Sequence, residues 1–506
     1  MEALNFNRSN IRWKKRPYPR SPSSLLPISL LFLLFSFLLF LSYKHISTST
    51  PTNPPPSRFC NSQKTLAGEK FLWYAPHSGF SNQLSEFRNA VLMAAILNRT
   101  LIVPPVLDHH AVALGSCPKF RVLNPTELRF SVWNHVIDLI HRRRQFMLML
   151  TTAVKKVYRY MRKVYVSMAD IIDLSKLVSG SDIRVIDFSV FISIWCGVHI
   201  ELACSTESNR QSSSLETVRE CGSLLSGNNG NVNSCVHVVD EDCRTTVWTY
   251  GKDSEDGILD SFQPDEELKK KKKISYIRTR RDVYKTLGPG SGSESATILA
   301  FGSLFTSPYK GSELHIDIHE APKDQRMQSL IEKVRFLPFV PEITNAGKEF
   351  VNEKIKSPFL CAQLRLLDGQ FKNHWKGTFL GLKQKIEFLR HEGGPLQIHI
   401  FVMTDLPGVN WTGSYLEELA NSDSLKLHVL RENDEIVITT AKKLGDAGMK
   451  KHCRPPLLPD ILLYIEETVC SCAKLGFVGT VGSTIAESIE LMRKYGVCSS
   501  EGTVQL

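Results

Sequence analysis

Short apolar runs alternate along this chain with stretches of helical spacing, which predicts strands separated by helices. The clearest unit begins at Phe71, where FLWYA predicts a buried strand, and from Asn82 onward apolar side chains recur every three or four positions. Leu101–Val103 then predicts a second strand, which two prolines end. This βαβ unit has a polar loop at a helix N-terminus, where backbone N–H groups can bind a phosphate or carboxylate.

Three further buried strands each end in polar residues. They are predicted at Phe359–Leu366, Gln397–Thr404 and Leu475–Val478. Helices between them indicate a parallel sheet, whose ligands bind beyond the carboxyl ends of the strands. Arg365, Asp405 and the loop Gly479–Thr484 all follow such strands. Their clustering predicts a binding site at this edge.

Each of these side chains also has a structural interpretation. Arg365 suits bidentate contacts to a diphosphate, or an ion pair with Asp368 or another nearby acid. Ser483 and Thr484 lie at a helix start, where they can bind a phosphate or cap the helix. Asp405 and Asp460 can accept hydrogen bonds from a ribose or a guanine edge, although Asp460 also suits a helix cap. The residues alone leave these alternatives open.

The segments between the two units are less regular. The stretch Thr126–Val166 is helical and basic, which favours a solvated face over a docking surface for an acidic acceptor. Ile183–Ile194 is strand-like, and Ile298–Ala321 restores strand character. Residues from about 205 to 295 are polar and rich in serine and glycine, which predicts loops and an irregular insertion. Ser329–Lys356 is helical in composition. We therefore expect one α/β domain over 71–330 and another over 331–506.

The N-terminal region has the pattern of a membrane anchor. Leu25–Tyr43 is an uncharged, mostly apolar run, just long enough to span a bilayer as a helix and longer than the core of a cleaved signal peptide. Basic residues precede the run, so the positive-inside rule predicts a cytosolic tail at 1–24. Residues 44–70 are rich in Ser, Thr and Pro and suit a lumenal stem. We expect a single-pass type II protein of the Golgi membrane.

Charge and length limit the classes of function. The chain has 506 residues and a net charge of +11, but its first 44 residues hold seven basic side chains and one acidic one. More than half of the positive charge therefore belongs to the predicted membrane topology, which argues against a nucleic-acid partner. The length is that of two or three domains.

Cysteines and sequons agree with a secretory compartment. The twelve cysteines are an even number, and the pair Cys470 and Cys472 lacks the second ligand pair of a zinc site, so we expect structural thiols or disulfides there. Asn98 and Asn410 begin N-glycosylation sequons. The acidic run Asp240–Asp242 lies in the irregular insertion, and we predict no metal site.

Four motifs, in order, resemble the protein O-fucosyltransferase families, including the large plant group. They are GFSNQ followed by LNRTLIVPP, the strand FLCAQLRLLDG, the strand IFVMTD, and PDILLYIEETVCSCAKLGFVGTVGSTIAESI. Together they cover the chain from about residue 71 to 490. The resemblance implies the α/β GT-B fold, two Rossmann-like domains facing a cleft, and a GDP-sugar donor used without a metal or other cofactor.

By this resemblance Arg365 holds the β-phosphate, Ser483 and Thr484 support it, Asp460 contacts the nucleoside, and Asn82 lies by the transferred sugar. With Arg365 and Asn82, His77 is the third candidate catalytic residue, as a possible base. The remaining substrate-binding candidates are Gly79, Phe80, Ser81, Gln83, Gln363, Asp368, Thr404, Asp405 and Thr480.

Two positions depart from the family pattern. Gln363 replaces the histidine two residues before the arginine, which keeps hydrogen-bonding groups and removes the titratable ring. Ser81 stands where relatives often have glycine. The expected function is inverting, metal-independent fucosyl transfer from GDP-fucose to a hydroxyl of a protein or cell-wall glycan. A rhamnosyltransferase acting on a pectin-type glycan and a non-catalytic glycan-binding or scaffold member are the alternatives.

Overall fold

The computed structural model describes residues 68–77, 79–107, 125–145, 165–198, 211–227, 230–232, 234–239, 246–248, 276–278, 287–304, 325–367, 374–393, 395–446 and 460–499. They contain three separate parallel sheets, of five, four and two strands, all within one compact unit, Phe59–Leu506. The chain is therefore α/β, as predicted. The predicted limits of two domains stay a prediction.

The first sheet has five parallel strands in the order β3-β2-β1-β7-β4. Its strands are β1 (Phe71–Trp73), β2 (Thr100–Val103), β3 (Val185–Asp187), β4 (Val236–Val239) and β7 (Ile298–Phe301). A separate parallel pair consists of β5 (Thr246–Trp248) and β6 (Tyr276–Arg278). In the five-stranded sheet, β1 and β7 are almost wholly buried, because apolar side chains cover both faces.

The second sheet has four parallel strands in the order β10-β9-β8-β11. Its strands are β8 (Phe359–Leu364), β9 (Ile398–Thr404), β10 (Leu425–His428) and β11 (Gly476–Gly479). Every residue of β8 is buried, in agreement with its mostly apolar sequence, and Gln363 is its one polar side chain.

Helices flank the strands. They are α1 (Phe80–Ile96), α2 (Pro125–Gln145), α3 (Met168–Ile171), α4 (Ser175–Ser179), α5 (Phe188–Trp195), α6 (Gln211–Leu225), α7 (Gln325–Arg335), α8 (Pro341–Phe350), α9 (Trp375–His391), α10 (Tyr415–Ala420), α11 (Glu435–Asp446), α12 (Ile461–Ser471) and α13 (Thr484–Lys494). A π-helical turn, Val351–Ile355, continues α8, and Gly408–Asn410 is a 3-10 turn. α1 is buried over most of its length because it contacts α7 and α13 as well as its own sheet.

Two predictions of local structure were wrong. The strand-like run at Ile183–Ile194 divides into β3 and α5, whose N-cap Asp187 accepts a hydrogen bond from the Ser189 amide. The buried positions of α5 follow helical spacing, which a short apolar run does not distinguish from a strand. Part of the predicted irregular insertion is regular: it contains α6 and β4, a strand of the first sheet. The apolar residues of β4 are buried in the sheet, but the polar sequence around them gave no indication of a strand.

The predicted disulfide character of Cys470 and Cys472 is confirmed. Cys470 is bonded to Cys361 on β8, and Cys472 is bonded to Cys498. A third disulfide joins Cys196 to Cys221, between the end of α5 and α6.

No described helix is both long enough and apolar enough to cross a membrane. The predicted span at 25–43 lies outside the described residues, as do the tail and nearly all of the stem. The anchor therefore stays a prediction.

Candidate active site

The predicted phosphate-binding residues meet where the strand order of the second sheet reverses. The chain proceeds outward from β8 to β9 and β10, and β11 then returns to the other side of β8. In open parallel sheets such a reversal leaves a crevice at the carboxyl ends of the two adjacent strands, where ligands bind. Arg365 follows β8, and Thr480 follows β11.

A buried neutral network joins these two strand ends. The amide N–H of Thr480 lies 3.1 Å from both the main-chain oxygen and the side-chain Oε1 of Gln363. The Thr480 hydroxyl donates to the same main-chain oxygen and accepts from the amide of Arg365 at 3.0 Å. Gln363 and Thr480 are each 1% exposed. The glutamine that replaces the family histidine therefore fixes the backbone from which Arg365 extends.

Arg365 itself is partly open to solvent. Its Nε lies 3.6 Å from Oδ2 of Asp405, and each side chain is 25% exposed. Asp405 also accepts hydrogen bonds from the amides of Leu366 and Leu367. Among the described residues, Asp405 is an acid that pairs with Arg365, and it also holds the loop after β8. Asp368, the partner named for the structural alternative, lies outside the described residues.

Two hydroxyl-bearing residues lie at the start of α13. Ser483 is the N-cap of α13, is 2% exposed and makes no side-chain capping hydrogen bond. Thr484 is the first residue of that helix. On the neighbouring strand β9, Thr404 accepts a hydrogen bond from the Leu406 amide. The Ser483 hydroxyl therefore does not cap α13.

Asp460 precedes α12 in a conformation that is unusual for a residue with a side chain. Its φ is 56° and its ψ is 18°, in the left-handed region, and its carboxylate makes no capping hydrogen bond to the helix. Such a conformation costs about 1–2 kcal/mol for most L-residues and less for aspartate. Capping by this carboxylate, the structural alternative, is therefore not observed, and its predicted contact with a nucleoside stays a prediction.

His77, the candidate base, is fully buried. Its Nε2 lies 3.0 Å from Oε1 of Glu86 and 2.8 Å from the Ser303 hydroxyl, and its main-chain N–H donates to Oε2 of Glu86. The exposure expected of a loop histidine is therefore not observed. Sequence reasoning missed Glu86 and Ser303. A glutamate among the apolar residues of a buried helix is the signal that would have indicated a polar partner.

The segment Gly79–Gln83, which is the N-cap and first turn of α1, contributes packing as well as polar groups. Phe80 is buried, and its ring centroid lies 4.4 Å from that of Tyr464 on α12. Its side chain therefore joins two halves of the chain, the first built around the five-stranded sheet and the second around the four-stranded sheet. Gln83 is fully buried and makes two hydrogen bonds to the main chain of Leu107. Ser81 and Asn82 are partly exposed, and Gly79 is the helix N-cap. Asn82 is thus the amide side chain of this segment that faces partly outward.

Buried charges lie below the contact between Phe80 and Tyr464. Burial raises the pKa of Glu467 on α12 to about 8, although a hydrogen bond from Ser488 and the charge of Arg88 lower it. Burial also lowers the pKa of Arg88 on α1 to about 10, against the nearby charges of Tyr495, Glu467 and Glu487. These groups belong to different halves of the chain, so their charges are coupled across the contact.

A large cavity lies away from the candidate site residues. A cavity of about 790 Å³ lies between α8, β10 and α11, and none of the predicted site residues lines it. We place the candidate site at the reversal between β8 and β11 instead, because strand order and a partly exposed arginine coincide there. In the described part of the chain, no group of three His, Cys, Asp or Glu residues has the arrangement of a metal site. Asp240–Asp242 lies outside that part.

Comparison with known proteins identifies the family. The model of the family GDP-fucose protein O-fucosyltransferase matches residues 71–392, more than half of the chain. The curated protein O-fucosyltransferase 30 of Arabidopsis thaliana is 55% identical over 513 residues, which cover 96% of each protein. The chain therefore belongs to the GDP-fucose protein O-fucosyltransferase family, and the predicted resemblance is confirmed.

Solved structures with a similar arrangement include POFUT1 in complex with GDP-fucose. This match covers 84% of the present chain and 95% of the POFUT1 chain, at 13% identity and a TM-score of 0.37. A complex of POFUT1 with GDP covers 84% and 94%, with the same identity and TM-score. Similarity at this level supports no inference about individual residues. Family membership alone makes the chain a glycosyltransferase of the fucosyltransferase class.

Proposed function

We propose that this chain is an inverting, metal-independent fucosyltransferase with a GT-B arrangement, in which two Rossmann-like halves face a cleft. It takes fucose from GDP-fucose and transfers it to a hydroxyl of a protein or cell-wall glycan acceptor. The observation that carries the proposal is the position of Arg365. It is a partly exposed cation at the strand reversal of the second sheet, held by Thr480 and Asp405.

Arg365 suits the stabilisation of a departing diphosphate. The bond between the anomeric carbon and the β-phosphate oxygen breaks as the acceptor oxygen attacks from the opposite face, so negative charge grows on GDP. A guanidinium can meet that charge with two parallel hydrogen bonds. The uncapped N-terminus of α13, with the hydroxyls of Ser483 and Thr484, adds donors for the same group.

On the first half, Asn82 is the proposed contact to the transferred sugar. Asn82 lies at the start of α1, two residues after Phe80, whose ring contacts Tyr464 on α12. That contact brings the loop of the first half beside the helix that begins at Asp460, the proposed nucleoside contact. The acceptor hydroxyl loses its proton during attack, and His77 is the candidate base nearest in sequence to this loop.

The assay that tests the proposal uses the purified full-length chain. GDP release from GDP-fucose and UDP release from UDP-rhamnose are measured, each with and without EDTA, for wild type, Arg365→Ala and Arg365→Lys. We expect GDP release that EDTA does not reduce. It should fall by about a thousandfold in Arg365→Ala. Arg365→Lys should restore little, because an ammonium cannot make the paired contacts of the guanidinium.

The other outcomes separate the alternatives. Release from UDP-rhamnose alone would retain the enzyme and change its donor. A folded protein that binds neither nucleotide would favour the non-catalytic glycan-binding member. Loss of GDP release in EDTA that returns on adding Mn²⁺ would contradict metal independence.

The proposed location is the Golgi membrane, with the body of the enzyme in the lumen. The disulfides of the described part agree with an oxidising compartment, and both sequon asparagines, Asn98 and Asn410, are exposed. Sealed microsomes test the topology. The chain should be protected from added protease except for a short tail, and PNGase F should increase its mobility. Digestion of the body in intact vesicles would contradict the proposal.

A further inference from the structure

A second polar cluster lies at the strand reversal of the first sheet. β1 and β7 are adjacent there, with β2 and β3 on one side and β4 on the other. His77 follows β1, and Ser303 follows β7. Glu86, in the second turn of α1, lies between them, and all three residues are fully buried. Side chains far apart in sequence thus converge on a single carboxylate.

The hydrogen bonds of this cluster define where the proton of His77 lies. The Ser303 hydroxyl donates to Oε1 of Glu86 at 2.8 Å, and that oxygen is also 3.0 Å from Nε2 of His77. A bare Nε2 would direct its lone pair at the carboxylate oxygen. Nε2 must therefore carry a hydrogen, shared between Glu86 and Ser303.

The same carboxylate fixes the main chain of the loop. Oε2 of Glu86 accepts the main-chain N–H of His77 at 3.0 Å. Glu86 lies four residues after Asn82 on α1, so the two side chains share one face of the helix, about one turn apart. The main chain of His77 is therefore fixed to the helical face that also carries Asn82.

We propose that Glu86 is a positioning residue of the transfer reaction. Together with Ser303 it holds His77 with its proton on Nε2 and fixes the loop that presents Asn82 to the transferred sugar. This role rests on the proposed function. A carboxylate is expensive to bury, whereas glutamine or methionine fills the same space without a charge. We therefore infer that a carboxylate stands at position 86 because of the hydrogen bonds that it accepts.

Kinetic measurement on full-length variants tests this role. Glu86→Gln keeps the shape but offers one acceptor oxygen in place of two, and the milder Ser303→Ala removes one donor. We expect kcat for GDP release from GDP-fucose to fall about tenfold to hundredfold in Glu86→Gln, because small displacements of positioned groups have such effects. Ser303→Ala should fall less. The KM for GDP-fucose should stay within about twofold of wild type, since the donor's phosphates bind at the other sheet.

Asn89→Ala is the matched control. Asn89 lies on the same buried helix and donates to the main-chain oxygen of Leu304, beside Ser303, at 2.8 Å. Its loss removes one buried hydrogen bond to the same loop and leaves His77 untouched. We expect a lower melting temperature, as in Glu86→Gln, with kcat near wild type. Equal losses of kcat in the two variants would reduce Glu86 to a purely structural role.

Hydrogen exchange supplies a readout that does not depend on turnover. Amides of residues 74–83 should exchange faster in Glu86→Gln and Ser303→Ala than in wild type or Asn89→Ala. Unchanged exchange in this segment would overturn the positioning role, whatever the kinetics. If wild type releases no GDP from GDP-fucose, the proposed function fails, while the exchange experiment still decides whether Glu86 holds the loop.

Discussion

The two strand reversals of this protein have the same topology and opposite chemistry. At the first, Glu86 and His77 are ionisable side chains, and both are fully buried. At the second, the buried groups are the neutral Gln363 and Thr480, and the ionisable Arg365 is partly exposed. The buried ionisable groups at the first reversal fix the conformation of a loop. The buried neutral groups at the second reversal hold the main chain of Arg365 and leave its charged side chain available to a ligand.

The energetic reason lies in the cost of burial. Neutral hydrogen bonds such as those of Gln363 and Thr480 can be buried at little net cost once both partners are satisfied. A buried carboxylate requires several donors, and Glu86 receives them from His77 and Ser303. The first reversal therefore depends on hydrogen-bond partners for all of its buried charged groups. The second tolerates a charged side chain, Arg365, that is partly exposed.

Removal of the disulfide beneath the second reversal should have the largest effect on stability. The double variant Cys361→Ala/Cys470→Ala opens a bond between residues 109 apart, which in the chain-entropy model is worth about 4–5 kcal/mol. Denaturant unfolding measures the change. The pair Cys196→Ala/Cys221→Ala, with a separation of 25, should lose about 3 kcal/mol. A larger loss from the shorter loop would show that packing, and not loop closure, decides.

The second reversal can also be broken at its neutral network. Gln363→Leu removes the Oε1 acceptor from the buried amide of Thr480, and we expect a loss of about 1–3 kcal/mol in the free energy of unfolding. GDP release should fall about tenfold, because Thr480 also holds the amide of Arg365. Gln397→Leu, at an exposed position before β9, is the control. Unchanged activity in Gln363→Leu would separate the network from Arg365.

The smallest expected effect is a change in pH dependence. Burial raises the pKa of Glu467 to about 8, above the 4.5 of an unperturbed glutamate, so the folded protein retains a proton that the unfolded chain releases. This group therefore makes stability fall as pH rises from about 4.5 through about 8. Glu467→Gln should flatten the decline in melting temperature between pH 5 and 8.

Glu342→Gln, at an exposed position of α8, serves as the control for that measurement. It should leave the slope as in wild type. Equal slopes in wild type and Glu467→Gln would mean that the charge of Arg88 fully offsets the burial of Glu467. In that case the coupling between the two halves would be stronger than we infer.

Sequence reasoning located the second site better than the first. Arg365 and Thr480 each follow a short, mostly apolar strand, so the polar residues after it indicated them directly. Glu86 and Ser303 are 217 residues apart, and no local pattern shows that they meet. Periodicity likewise predicted α1 within two residues, while β4 was concealed by polar neighbours and β10 gave no prediction. In these cases, contacts between residues far apart in the sequence determine the structure.

The order of the second sheet has a consequence for how this protein is made. β11 lies beside β8, and Cys470 is bonded to Cys361 on that same strand. During synthesis, β8 emerges more than a hundred residues before either partner is available. Thr480 emerges 115 residues after Arg365, so its hydroxyl is not yet available when Arg365 leaves the ribosome. A stop codon between β9 and β11 leaves β8 with β9 as its single neighbour, and such a product cannot assemble the donor site.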